Sequence, residues 1–110
     1  MAQRVTVVTD GTFESEVLRS ELPVLVDFSA SWCTPCRFLG AVLEEVAGRW
    51  EGRLRVMRLD VDENPEAPSR LSVQTLPALL LFVGGAPVVR HLGPADQDKV
   101  EALLQTRLGA

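Results

Sequence analysis

The sequence predicts an α/β protein: a central mixed sheet of five strands flanked by four helices. Three observations predict it. Short apolar, β-branched runs alternate with segments whose apolar residues recur at helical spacing through the first two-thirds of the 110 residues. At Cys33 the pattern switches from a continuous apolar run to a three- and four-residue repeat. The last two strand-like runs flank Gly84-Gly85, a hairpin signal, so that pair reads as antiparallel whereas the earlier crossovers read as parallel.

In chain order, Val5 to Val8 is a short β-branched run, and Thr9-Asp10-Gly11-Thr12 supplies turn and N-cap residues. Phe13, Val17 and Leu18 then recur at helical spacing up to about Ser20. Pro23 introduces Val24-Leu25-Val26-Asp27-Phe28, an apolar run holding one acid, which suits a central parallel strand covered on both faces. From Cys33 onward, Leu39, Val42, Leu43, Val46 and Trp50 mark one face of a long helix that Gly52 ends. Leu54 to Val61 is the next strand, and Asp62-Glu63-Asn64-Pro65 turns the chain into a short helix near Ala67 to Leu71. Pro77 begins the strand Ala78 to Val83, and Val88 to Leu92 returns it. Asp96 to Leu108 closes the chain as a helix with Val100, Leu103 and Leu104 facing inward.

Length and composition bound the function. One domain over residues 1–110 is expected, large enough to build a core without disulfide staples. Hydrophobic residues make up 46% and charged residues 24%, a globular balance. A net charge of −4 gives no basic face to neutralise phosphates, so nucleic-acid binding is not expected. Arg4, Thr6, Thr9 and Asp10 interrupt any apolar run between Met1 and Asp10, and the longest apolar run, Leu76 to Val83, is too short to span a bilayer. A cytoplasmic protein with no membrane partner is therefore expected.

Chemistry concentrates at Trp32-Cys33-Thr34-Pro35-Cys36, where an apolar strand ends and the long helix begins. Residues three apart on a helix have neighbouring side chains, about 5–6 Å between Cβ atoms, so one disulfide forms and breaks with little backbone motion. Cys33, at the helix N-terminus, meets unpaired N–H groups and the positive end of the dipole, which favour a thiolate. Cys36, a turn deeper, is expected to be better covered and placed to attack a mixed disulfide. Pro35 costs little in a first turn. Thr34, β-branched, stiffens the turn and is expected to bring its hydroxyl near a cysteine sulfur. A structural zinc site needs four ligands, and Cys33, Cys36 and His91 are too few, so no metal is expected. His91 reads as an exposed strand residue.

These residues resemble the thioredoxin family over nearly the whole chain. Val24 to Phe28 followed by Trp32-Cys33-x-Pro35-Cys36 matches the family signature, Asp60 to Pro65 is similar to its segment after the third strand, and Leu76-Pro77 and Gly93 correspond to its cis-proline and the glycine before its last helix. The resemblance implies a thioredoxin fold and a monomeric thiol–disulfide oxidoreductase that reduces protein disulfides. It implies Cys33 as the attacking thiol, Cys36 as the resolving one, and Asp27 as the buried carboxylate that manages the Cys36 proton. Trp32, Thr34, Pro35, Leu76, Pro77 and Gly93 would line the substrate groove. No bound cofactor is implied; electrons would come from NADPH through a thioredoxin reductase, the expected partner besides disulfide-containing proteins.

The chain departs from the family pattern at several positions. Thr34 replaces Gly, Ser29 an aromatic, Ala41 (after Gly40) a helix-kinking Pro, Arg58 a Lys, and Ala78 a Thr. Arg58 is expected on the strand beside Asp27, its guanidinium opposing the rise in the acid's pKa that burial causes, so that Asp27→Asn would stabilise the protein little. Two other readings stay open: a binding module with incidental cysteines, and a more oxidising disulfide oxidase or isomerase.

Overall fold

The computed structural model describes residues 4–109, so the first three residues of the N-terminal stretch read above lie outside it. Strands β1 (Thr6–Val7), β2 (Val24–Ser29), β3 (Arg55–Asp60), β4 (Ala78–Val83) and β5 (Ala86–Leu92) form one sheet in the order β1-β3-β2-β4-β5. Helices α1 (Thr34–Arg49), α2 (Glu66–Arg70) and α3 (Gln97–Leu108) and a π-helical turn, Glu14–Leu18, complete the chain. The mixed five-stranded sheet and its four helical segments are those the sequence predicts.

Strand β2 lies at the centre with all six residues buried. It runs parallel to β3 on one side and antiparallel to β4 on the other. A continuous apolar run reports cover on both faces but not the direction of each neighbour, so the sequence anticipated only the parallel one. Side chains alternate between faces. Val24, Val26 and Phe28 pack with Val8, Phe13 and Val17 on one side. Leu25 packs with Leu39, Leu43 and Val46 of α1 on the other. The same period puts Asp27 and Ser29 on the α1 face.

The first helical segment differs from expectation. It is wound as a π-turn, with the Arg19 amide donating to the Glu14 carbonyl five residues back at 3.0 Å, and Leu18 is exposed. No side chain caps it. Asp10, read as part of a local cap, instead accepts the Glu66 and Ala67 amides at 3.0 and 2.9 Å and caps α2 across the fold. The unpaired amides of any helix start attract a nearby carboxylate, and sequence distance does not enter. Gly84 and Gly85 both have positive φ, +60° and +83°, and close a two-residue hairpin in which Val83 pairs with Ala86. A Cβ at Gly85 would lie 2.6 Å from the Leu18 carbonyl oxygen, so the hairpin can approach the π-turn only with glycine there.

Candidate active site

The end of β2 runs directly into the cysteine pair. The Cys33 amide donates to the Ala30 carbonyl at 3.1 Å, tightening the turn that carries Ser31 and Trp32. Cys33 is the N-cap of α1, with an extended backbone (φ −92°, ψ 104°), and Pro35 sits in the first turn, where no intrahelical donor is lost. Cys33 and Cys36 form a disulfide across a Cα separation of 5.3 Å. The Cys33 sulfur also accepts the Cys36 backbone N–H at 3.3 Å. That contact, at the positive end of the helix, strengthens as charge builds on the sulfur. Thr34 is exposed and its hydroxyl makes no hydrogen bond among the described residues, so the donor to sulfur is the backbone amide and not Thr34.

Helix position predicts better cover for Cys36 than for Cys33, yet both are 4% exposed. The turn from Ala30 folds Cys33 back so that both cysteines share one apolar cluster with Ala30, against which Val61 and Leu76 pack. The Leu76–Pro77 peptide is cis. The Gly93 amide donates to the Pro77 carbonyl at 2.7 Å. Leu76 thus packs against the cysteine cluster, and the Gly93 amide ties the Pro77 carbonyl to a second loop. Trp32, 67% exposed, is held by its indole N–H donating to Asp62 Oδ2 at 2.8 Å. Asp62 was legible only as a turn residue, because nothing local links it to Trp32 thirty residues away.

Asp27 is fully buried on the α1 face. It pairs in register with Arg58 of β3, whose Nε donates to Asp27 Oδ2 at 3.3 Å. Asp27 Oδ1 has no hydrogen-bond partner among the described residues. Burial pushes the carboxyl up from its ordinary 3.8 to about 6, against the charge and hydrogen bond of Arg58, which pull it down. Arg58 therefore offsets part of the desolvation and not the whole. The pairing uses one guanidinium nitrogen and one carboxylate oxygen, not the two-pronged contact that would hold both. This partial offset leads to an expected gain from Asp27→Asn larger than the sequence reading expects.

Arg58 reaches this position past Gly40, where a Cβ would come within 2.9 Å of its Nη2. Around it opens a groove of about 540 Å³, lined by Cys36 and not by Cys33. His91 lies apart, half-buried, with Nε2 3.2 Å from the Pro94 carbonyl. Among the described residues no group of three or more His, Cys, Asp or Glu side chains is placed to hold a metal ion.

The chain matches the thioredoxin family model over residues 4–106. It belongs to the thioredoxin family. Thioredoxin 1 of a Nostoc species is 41% identical over 101 residues, covering 92% of this chain and 94% of the relative. The thioredoxin of Acidithiobacillus ferridurans is 39% identical over 108 residues, covering 98% and 100%. A bifunctional thioredoxin reductase/thioredoxin of Mycobacterium leprae is 49% identical over 86 residues, 78% of this chain and 19% of that longer protein. As a thioredoxin-family chain with a redox disulfide at Cys33–Cys36, the protein is a thiol–disulfide oxidoreductase of the protein-disulfide reductase class. No helix among the described residues is long and apolar enough to cross a membrane.

Proposed function

We propose that Cys33 is the nucleophile toward protein disulfides and Cys36 the resolving thiol. The observation that carries this division is the Cys36 N–H donating to the Cys33 sulfur at the helix N-cap. Among the described residues only the Cys33 sulfur of the pair accepts a backbone N–H, a contact that favours Cys33 as the attacking thiolate. The Cys33 thiolate attacks one sulfur of a substrate disulfide, forming a mixed disulfide and releasing the other sulfur as a thiolate. Cys36 loses its proton to the Asp27 carboxylate and attacks the Cys33 sulfur, which closes the Cys33–Cys36 bond and expels the reduced substrate. A carboxyl poised near pH 6 is suited to exchange that proton.

Trp32, Thr34, Pro35, Leu76, Pro77 and Gly93 form the surface an extended substrate segment meets. Arg58 supports the site by holding Asp27. The dithiol is regenerated by a thioredoxin reductase with electrons from NADPH and no cofactor resident in this chain. The Mycobacterium leprae protein, named for both activities in one polypeptide, supports that partnership. The protein works as a cytoplasmic monomer on disulfide-containing proteins. The test is insulin disulfide reduction driven by dithiothreitol: acceleration by the wild type is expected, and its absence overturns the reading in favour of a binding role. A glutathione redox titration distinguishes a reductase from a more oxidising isomerase.

A further inference from the structure

We propose that Arg90 is a positioning residue for protein substrates: its guanidinium, reaching from β5 to the end of α2, sets the course of the loop that carries Leu76 and Pro77. This rests on the reading of Leu76 and Pro77 as surface that a protein substrate meets, and adds a residue outside that surface on which substrate binding depends.

The loop begins in a demanding helix ending. The Val73 amide donates to the Pro68 carbonyl at 2.8 Å and the Ser72 amide to the Ser69 carbonyl at 3.2 Å. This pair of bonds closes a helix when the residue just past its end takes a positive φ, a conformation that favours glycine. Here that residue is Ser72, at φ +58°, the one non-glycine residue with positive φ among the described residues. The two bonds use the carbonyls of Pro68 and Ser69 and leave those of Leu71 and Ser72 to other donors. Arg90 supplies them: Nη1 donates to the Leu71 carbonyl at 2.7 Å and Nη2 to the Ser72 carbonyl. One planar fork thus bridges the peptide before Ser72 and the peptide after it, which fixes the turn at that residue.

Arg90 reaches the loop because of its place in the sheet. It pairs in register with Leu80 of β4. Directly opposed residues of paired strands share a face, and Leu80 belongs to the cluster that contains Ala67 of α2 and against which Leu71, Val73 and Leu76 pack. Just past the end of the same strand, the Gly93 amide donates to the Pro77 carbonyl at 2.7 Å. The segment from Ser72 to Pro77 is therefore tied to the β5 region at both ends, with Gln74 and Thr75 exposed between the ties. A shift at Ser72 passes along this short segment to Leu76, which packs against the cysteine cluster. The amide that donates to the Cys33 sulfur belongs to α1 and not to the loop. The loop thus governs the fit of a large substrate, while the reactivity of Cys33 is set elsewhere.

The experiment compares the reduced full-length protein with its Arg90→Met variant, which keeps an apolar stem at this exposed position and removes both donors. The rate of dithiol oxidation is measured with insulin and with hydroxyethyl disulfide, and the reduction potential is titrated in glutathione. Arg90→Met is expected to slow the reaction with insulin about fivefold, to leave the small-disulfide rate within about twofold of wild type, and to leave the potential unchanged. Arg90→Lys, a single ammonium in place of a fork, is expected to fall between. The decisive variant adds Ser72→Gly to Arg90→Met: glycine takes a positive φ without support, so the insulin rate is expected to return close to wild type. An insulin rate unchanged by Arg90→Met, or an equal loss with both disulfides, overturns the positioning role. A selective loss that Ser72→Gly does not relieve overturns it as well, making Arg90 a direct contact to the substrate. Leu76→Ala separates this proposal from the reading beneath it. If Leu76→Ala slows insulin selectively and Arg90→Met does not, only the role of Arg90 falls. If neither does, the loop is not a substrate surface and that reading falls with it.

Discussion

The two cysteines of one disulfide are equally covered, at 4% each, yet their surroundings differ. Next to Cys33 in the chain stands the exposed indole of Trp32, and Leu76 of the cis-proline loop packs against the cluster that holds both cysteines. On the Cys36 side lie Arg58 with its buried acid and a groove walled by charges. One helical turn separates the two. Burial of the residues therefore does not distinguish the two; an amide aimed at the Cys33 sulfur and a charged groove that only Cys36 of the pair lines do.

The sharpest way to break this contrast is to remove each sulfur in turn. Cys33→Ser is expected to abolish dithiothreitol-driven insulin reduction, whereas Cys36→Ser is expected to accumulate mixed disulfides on Cys33 when mixed with a cell lysate and run on non-reducing gels. Comparable trapping by both variants would erase the distinction.

On the Cys36 side the largest stability effect is expected from Asp27. A folded-state pKa raised from 3.8 to about 6 means the native state holds this proton more tightly than the unfolded chain. The group's contribution is fully present below about pH 4 and is lost as pH rises through about 6. At pH 7 Asp27→Asn is expected to stabilise the reduced protein by about 2–3 kcal/mol. The gain should shrink toward zero at pH 4 in urea unfolding. A gain that does not change with pH would place the effect in packing, not in ionisation.

Arg58→Met is expected to cost less, about 1–2 kcal/mol at pH 7, because the guanidinium is partly exposed and solvent screens it. Combined with Asp27→Asn the loss should largely disappear, since no buried charge is then left without its partner. An additive double variant would show that Arg58 stabilises through its stem and not through the acid.

The smallest effect belongs to Thr34. Its hydroxyl is exposed and not bonded to sulfur, so Thr34→Val, which keeps the branched shape, should move the reduction potential by less than about 10 mV on a scale where 30 mV is about 1.4 kcal/mol. A larger shift in a glutathione titration would restore the hydroxyl to the Cys33 side of the comparison.

By itself the sequence determined the order of elements, the hairpin and the cysteine pair. Each is encoded locally: period-two and period-3.6 apolar patterns, two glycines able to take positive φ, and a thiol spacing that fits one helical turn. It also pointed to Asp27 as an acid inside an apolar strand and, through the family resemblance, to Arg58 as its neighbour, while the register that pairs them is seen in the structure. Only the tertiary structure decided the direction of β4 beside β2, the capping of α2 by Asp10, the clamp of Asp62 on Trp32 and the equal cover of the two cysteines. Those depend on which distant groups meet in space, and an unpaired N–H or a buried sulfur accepts whichever partner packing brings, however far away in the chain. The groove beside Cys36 is the clearest case. Ser29, Gly40 and Ala41 were each legible as small residues, but that they border one space open to Arg58 and Cys36 follows from the packing of α1 on the sheet.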